Sequence, residues 1–441
     1  MYYAICDCDS CYVSCERVFR PDLKHKPVVV LSNNDGCVVA RSKEAKRMGI
    51  PAGMPYYQLK EQYPDNEIAV FSSNYELYGE LTARVMQLIR EASPQSFRYS
   101  IDECFCVLPD MSFTDLKQWG ESLCHRILKY TGMPISIGIA HTKTLAKMAS
   151  HYAKKYEGYQ HCCIIDTDEK RTKALQQYPI SEVWGIGRRH ATKLESMGIR
   201  SAYDFAMHDK SWIRSLFTVV GMRTWQELWG EDCVPIDEMT HKKSICTSRS
   251  FTGMLAEYDA VRTHIANFAV RCAYKLRQQQ SVASVVSVFV HTNRFREDLD
   301  QYWNSTSVQL LTPSNSTQVI VQAAAQGLQH IFASGYQYKK AGVVVMGLQS
   351  DAAIQTNFLD FHATQMEKHI KLDQVVDRLN KLMGTETVKL GAQQYKQKQQ
   401  NGKAIVFADA IQHVFKSKNP TTRWSDIMEL KSVSYTHLRA H

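Results

Sequence analysis

Asp7, Asp9, Asp102 and Glu103 are carboxylates set in runs that otherwise read as buried β-strand. The runs are Tyr2-Tyr3-Ala4-Ile5-Cys6-Asp7-Cys8-Asp9 and Phe97-Arg98-Tyr99-Ser100-Ile101-Asp102-Glu103-Cys104-Phe105-Cys106-Val107-Leu108. An unpaired carboxylate in an apolar strand loses its hydration at a cost of several kcal/mol. A cation offsets that cost, and hard oxygen ligands suit Mg²⁺. If the two strands are neighbours, their carboxylates can hold metal for phosphoryl transfer. Asp7 and Asp9 share a strand face because side chains alternate, whereas Asp102 and Glu103 point to opposite faces of a regular strand. The adjacent pair meets at one site only at a strand end or a sharp twist. Asp9 is equally well read as an ordinary ionic or capping residue. The metal reading rests on Asp7, Asp102 and Glu103.

Two further groups of residues suit phosphate. Trp184-Gly185-Ile186-Gly187-Arg188-Arg189 begins a helix-hairpin-helix pattern that continues through Lys193, Leu194 and Gly198-Ile199. Exposed backbone N–H groups at Gly185, Ile186 and Gly187, next to a helix N-terminus and two arginines, form a cradle that grips phosphate regardless of base. The bland alternative is a helix–helix turn that uses glycine for positive φ. Basic clusters also stand beside loops: Arg41, Lys43, Lys46 and Arg47, then Lys143, Lys147, Lys154 and Lys155. Lys143, Lys147 and Lys154 share roughly one helix face. Any one lysine is more commonly solvated, but two clusters near the carboxylates suit a triphosphate. Cys6, Cys8, Cys11 and Cys15 fit no standard zinc spacing and read as small hydrophobes.

The elements that must position these groups follow from pattern. At 441 residues, 44% hydrophobic and 22% charged, the chain suits a multidomain globular protein. Its net charge of +9 favours a polyanionic partner. Thirteen cysteines without a signal peptide favour reduced thiols and a cytoplasmic location. No apolar run approaches the roughly 18 residues that span a membrane. Residues 1–165 alternate strands and helices around a hairpin at Asn33-Asn34-Asp35-Gly36, the pattern of an α+β core. Residues 168–235 read as entirely helical. Residues 245–348 read β-α-β-β-α-β. The polar run 393–402 reads as partly disordered.

Together, Asp7-Cys8-Asp9-Ser10-Cys11-Tyr12, Tyr99-Ser100-Ile101-Asp102-Glu103, and Gly138-Ile139-Ala140 with Lys143-Thr144-Leu145-Ala146-Lys147 resemble the Y-family translesion DNA polymerases, and within them the UmuC branch. Residues 19–23, 28–37, 71–78 and 183–189 carry the likeness further, over essentially residues 1–431. The resemblance implies a right-hand α+β fold: palm at 1–19 and 78–165, fingers at 20–77, and an all-helical thumb with the helix-hairpin-helix at 166–235. It continues with a linker at 236–243, a β-α-β-β-α-β little finger at 244–350, a partly disordered C-terminal region at 351–431 and an atypical tail at 432–441. It implies error-prone addition of deoxynucleotides to a primer 3′-hydroxyl opposite damaged template, in DNA repair and the SOS response.

Two Mg²⁺ ions are then expected on Asp7, Asp102, Glu103 and the backbone carbonyl of Cys8. Tyr12 takes the steric-gate position, which excludes a ribose 2′-hydroxyl. Lys46 and Lys154 take positions that contact the incoming triphosphate, while Lys43 stands where many members carry an aromatic residue. Gln355, Phe358 and Leu359 resemble a sliding-clamp-binding peptide. Implied partners are primer–template DNA, deoxynucleoside triphosphates, a processed UmuD dimer (UmuD′), RecA with ATP and the sliding clamp. Two rival readings are a metal-dependent nuclease and a non-catalytic DNA-binding scaffold. Neither accounts for Tyr12 beside Asp7.

Overall fold

The computed structural model describes residues 1–64, 67–93, 95–235, 242–354, 363–384, 387–399, 402–407 and 413–427. The chain forms two compact units, Met1–Glu238 with Gln412–His441, and Met239–Ile411. The first runs β1 (Tyr2–Cys8), α1 (Cys11–Phe19), β2 (Val28–Leu31), β3 (Val38–Arg41), α2 (Lys43–Arg47), α3 (Tyr56–Gln62), β4 (Ala69–Ser72) and α4 (Tyr75–Ala92). It continues through β5 (Ser96–Arg98), β6 (Glu103–Leu108), α5 (Phe113–Thr131), β7 (Ile135–Ala140), α6 (Lys143–Lys155) and β8 (Cys162–Ile165). An all-helical run follows: α7 (Asp168–Gln177), α8 (Arg188–Ser196), α9 (Ala202–Ala206), α10 (Lys210–Leu216) and α11 (Val219–Leu228).

The main sheet has the order β5-β6-β1-β7-β8. Strand β1 lies at its centre, antiparallel to both β6 and β7. Alternation sends Tyr2, Ala4, Cys6 and Cys8 to the face covered by α1, α4 and α5. Tyr3 and Ile5 go to the face covered by α6 and the helical run. Burying an aliphatic side chain such as Ile5 stabilises the fold by about 1.5–3 kcal/mol. Asp7 falls on the α6 face at the end of β1. Helix α6 lies against β7 because residue 138 is glycine: a Cβ there would come within 2.1 Å of the Ala146 carbonyl oxygen and the Ser150 nitrogen. This close approach brings the α6 lysines over the end of β1.

A smaller sheet, β3-β2-β4, carries its own core of Val29, Leu31, Val38, Ala45, Ile50, Met54 and Leu59. In its turn the left-handed positions fall to Asn34 and Asp35 (φ 60° and 49°). Gly36 is right-handed, at φ −74°. Asn and Asp tolerate that conformation better than most residues, so the turn does not depend on its glycine. Helix α4 starts at Tyr75 because the Asn74 side chain accepts the Leu77 N–H and caps it. The helical run joins α6 through Glu227, which is fully buried. It accepts from Thr144 N and Oγ1 at 2.8 and 2.7 Å and from Val234 N at 3.0 Å.

The second unit has the order β9 (Ser244–Leu255), α12 (Tyr258–Gln278), β10 (Ser281–Thr292), β11 (Trp303–Ser314), α13 (Thr317–Ile331) and β12 (Tyr338–Ser350). Its sheet is β11-β10-β12-β9, antiparallel throughout. Both helices pack on that sheet. Then come α14 (Ala363–Met383) and the antiparallel pair β13 (Gln394–Gln399) and β14 (Gly402–Phe407). The polar run expected to be partly disordered thus contains a strand. Strand pairing uses the backbone, which polar side chains do not prevent. Arg277 fixes α14 with a two-pronged bond to Asp377 at 2.7 and 2.8 Å. Gln355, Phe358 and Leu359, most of the linker, and the tail at 432–441 lie outside the described residues.

Candidate active site

Antiparallel register places Asp7 of β1 opposite Glu103, the first residue of β6. Asp102 lies just before that strand, and its carbonyl accepts the Cys8 N–H at 3.0 Å. The two adjacent carboxylates thus stand at a strand end, Asp102 just outside β6 and Glu103 just inside it. Ser100 makes the turn: its hydroxyl accepts the N–H groups of Asp102 and Glu103 at 3.2 and 3.0 Å and donates to Asp102 Oδ1 at 2.6 Å. The sequence reading assigned Ser100 no role. The signal was present, since serine two positions before an aspartate favours such side-chain-to-backbone turns.

Each strand carboxylate is met by an ammonium group from α6. Lys154 Nζ lies 2.5 Å from Asp7 Oδ2, and Lys147 Nζ donates to Glu103 Oε1 at 2.7 Å. Burial pushes the Asp7 carboxyl up to about 6; Lys154 draws it back, while Glu103 and Asp102 push it further. Burial alone would lower the Lys154 ammonium, but Asp7, with Asp9 and Glu103, raises it overall. Among the described residues no three His, Cys, Asp or Glu side chains stand together as a metal cluster. The two lysines occupy the oxygens instead, supplying the positive charge that the carboxylates require. Asp102 belongs to the same end of the sheet. Asp7, Asp102 and Glu103 are hard oxygen donors, the type that divalent cations such as Mg²⁺ take.

Asp9 turns elsewhere. It lies past the end of β1, where its Oδ2 accepts from Ser136 Oγ at 3.0 Å and faces His161 Nδ1 at 3.4 Å. Lys143 also departs from expectation. It is buried against the Tyr3 ring and bonded to Asp232, so it pins the helical run to the palm instead of facing a phosphate. Lys147 and Lys154 of that same helix face meet Glu103 and Asp7. Lys143 sits one turn too early, where α6 abuts α11.

A cavity of about 300 Å³ opens beside the carboxylates, lined by Ser10, Cys11, Tyr12, Val39, Ala40, Arg41, Lys46 and Asp102. Tyr12 forms one wall. Its ring stacks on Tyr78 at 4.7 Å and 15° and meets Tyr75 edge-on at 5.7 Å. Burial, then Tyr75, pushes its hydroxyl up to about 12, so the ring is neutral at physiological pH. Lys46 stands opposite, its ammonium lowered by burial first and then by Arg41 and Lys154. A polyanion entering here would oppose that lowering. A larger cavity of about 650 Å³ in the second unit, between α12, α13 and α14, contains none of the predicted site residues.

At the hairpin, Gly185 has φ 92°, and a Cβ there would collide with Thr224 Oγ1. Gly187 is the N-cap of α8 and provides no side-chain cap; Arg188 and Arg189 are exposed at that end, and Lys193 is exposed in the helix's last turn. Ile186 differs from the expectation. Its side chain is buried and its N–H already bonds the Val183 carbonyl at 2.9 Å, so it anchors the hairpin.

Comparison with known proteins agrees with this arrangement. A Y-family DNA polymerase chimera of Dbh and Dpo4 has the same fold, with a TM-score of 0.64 at 18% identity, covering 79% of this chain and 100% of that one. The fold is thus that of a right-hand polymerase with palm, fingers, helical thumb and little finger. Residues 6–151 match the impB/mucB/samB family, residues 242–358 match that family's C-terminal domain, and residues 371–430 match a domain of unknown function, DUF4113. Protein UmuC of Salmonella typhimurium is 39% identical over 97% of this chain and 100% of its own length. Protein SamB of Salmonella typhimurium is 39% identical over 86% of this chain and 90% of its own length. The chain belongs to the impB/mucB/samB family of Y-family polymerases and is an error-prone, DNA-directed DNA polymerase of translesion synthesis in the SOS response. Among the described residues no helix is long and apolar enough to cross a membrane.

Proposed function

We propose that the end of β1 and the adjoining cavity catalyse transfer of a deoxynucleotide from its triphosphate to a primer 3′-hydroxyl. The observation that carries this reading is the pairing of Asp7 with Glu103 across β1 and β6, beside a cavity walled by Tyr12, Arg41, Lys46 and Asp102. Asp7, Asp102, Glu103 and the Cys8 carbonyl would hold two Mg²⁺ ions, which supply a lowered 3′-hydroxyl pKa and neutralise charge on the departing pyrophosphate. Lys154, now on Asp7, and Lys46 turn to the β- and γ-phosphates and stabilise their charge. The Tyr12 ring sits under the sugar and excludes a 2′-hydroxyl.

Residues 1–19 and 78–165 act as palm, 20–77 as fingers, 166–235 as thumb and 244–350 as little finger. Gly185, Gly187, Arg188 and Arg189 grip the DNA backbone. UmuD′, RecA with ATP and the sliding clamp are the proposed protein partners, in the cytoplasm, with Gln355, Phe358 and Leu359 offered to the clamp. The test is primer extension across an abasic site with Mg²⁺ and deoxynucleotides, with and without those partners. Extension past the lesion is expected. Strand shortening with Mg²⁺ and no nucleotides would replace this reading with a nuclease.

A further inference from the structure

The C-terminal segment 413–427, within the stretch matched by a domain of unknown function, folds back onto the first unit. Between 413 and 419, His413, Phe415, Ser417 and Asn419 turn inward while Val414, Lys416 and Lys418 are exposed, and a 3₁₀ turn follows at Trp424–Asp426. Val414 N donates to Asp35 Oδ2 at 2.8 Å. Phe415 exchanges bonds with Ser72: its N–H donates to Ser72 Oγ at 2.9 Å, and its carbonyl accepts the Ser72 N–H at 3.1 Å. Its ring meets Tyr56 edge-on at 5.6 Å. The segment thus crosses from the small sheet to the start of α4.

There it completes a buried polar chain beneath Tyr12. Tyr12 and Glu16 stand i, i+4 on α1, so both face α4. Tyr78 is fully buried, stacks on the Tyr12 ring, and donates its hydroxyl to Glu16 Oε1 at 2.6 Å. The same oxygen accepts from Ser417 Oγ at 3.0 Å. Asn74 caps α4 with its Oδ1, while its Nδ2 donates to the Ser417 carbonyl and hydroxyl oxygens (3.2 and 3.0 Å) and to Asn419 Oδ1 (2.6 Å). Asn419 Nδ2 in turn donates to Glu76 Oε2 at 2.6 Å. Glu16, Asn74 and Asn419 are all buried to at least 98%. Groups so enclosed must be satisfied inside the protein, and removing one partner leaves the others with the full desolvation cost. The tail is therefore built into the support of the ring, beyond covering it.

We propose that segment 413–427 is a positioning element for the sugar gate. Ser417 and Asn419 hold the Glu16–Tyr78 pair, and through it the Tyr12 ring, so the C-terminal region sets discrimination between deoxyribose and ribose. This rests on reading Tyr12 as the gate. Discrimination by contact with a single hydroxyl is sensitive to displacements well under an ångström or two, and a support withdrawn on one side permits such a shift.

The test measures kcat/KM for insertion of one deoxynucleotide and of its ribonucleotide by the full-length chain. The variants are Tyr12→Ala, Ser417→Ala with Asn419→Ala, and the three combined. The tail pair should raise the ribonucleotide share about fivefold, with a smaller change in deoxynucleotide insertion, and should add nothing once Tyr12 is alanine. Ser417→Thr, which keeps the hydroxyl, should behave as the parent. An equal loss for both sugars, or an effect fully additive with Tyr12→Ala, overturns the proposal and leaves the tail a structural brace. If Tyr12→Ala changes sugar choice and the tail pair does not, the gate stands and the coupling falls. If Tyr12→Ala leaves sugar choice unchanged, the gate falls and takes the coupling with it. Should the tail pair unfold the first unit, Glu16→Gln reads the same link from the palm side and should raise the ribonucleotide share in the same direction.

Discussion

The two large sheets treat acidic residues in opposite ways. The four strands β9 to β12 of the second unit contain no aspartate or glutamate, and their buried positions are filled by Val286, Val288, Val290, Val343 and Val345. The central sheet of the first unit has an equally apolar middle, yet places Asp7 and Glu103 directly opposite one another at its end. A sheet built only to be stable avoids such a pair. The difference marks where stability has been given up for chemistry, since exceptions to local rules in natural proteins gather at functional sites. The same contrast separates the effects that substitutions should have in the two units.

The largest effect should come from the exceptional pair's neighbour. Asp102→Ala leaves both strands and the Cys8 bond to its backbone in place, so primer extension should fall by at least about 10³-fold while primer–template binding is kept. Persistent extension in a quench-flow assay would remove Asp102 from the site. Tyr12→Ala should come next, raising ribonucleotide incorporation relative to deoxynucleotide by about 10–200-fold, the range a shape-based exclusion supplies. Its effect on insertion of the correct deoxynucleotide should be much smaller. In the second unit, Arg277→Ala should behave in the contrary way. It strands Asp377 and Asp373, at a cost of about 2–4 kcal/mol to that unit. Sugar choice and the chemical step at a saturated site should be unchanged. A chemical defect in Arg277→Ala would break the contrast between the units.

What was legible in the sequence follows the same division. The β-α-β-β-α-β order of the second unit could be read because every strand alternates or runs apolar and each is long. In the first unit β4, β5 and β8 span only three or four residues, too short for a period to declare itself. The identities of Asp7, Asp102 and Glu103 stood out because a charge in an apolar run is conspicuous. The turn that sets Asp102 just outside β6 and Glu103 at its first residue did not, because it depends on the Ser100 hydroxyl accepting both their N–H groups. The lysines show the limit of spacing arguments: helical periodicity put three on one face, but only tertiary packing decided that Lys143 meets Asp232 and Lys154 meets Asp7. Nothing local announced that Ser417 would meet Glu16 across some four hundred residues of chain. Long-range pairing of polar groups leaves no periodic trace.

The last predicted effect is on pH, and its sign follows from the burial of Asp7. The carboxyl is raised from 3.8 to about 6 in the folded protein, by desolvation first and by Glu103 and Asp102 after it, with Lys154 opposing. A raised carboxyl favours the folded state fully below the unfolded value of 3.8, and that contribution is lost as pH rises through 6. Above it, the charged group costs on the order of 3 kcal/mol relative to a solvated carboxylate. That cost is what a bound divalent cation would relieve, so cation and proton compete for the same oxygens. Extension should therefore fall about tenfold for each pH unit below the Asp7 midpoint. The acid limb should move to lower pH as divalent cation is raised. Rates of the chemical step measured between pH 5 and 8 at two cation concentrations give both slopes. A limb that stays fixed while cation rises tenfold would mean that the titrating carboxyl is not a ligand, and the exceptional pairing of Asp7 with Glu103 would then need another cause.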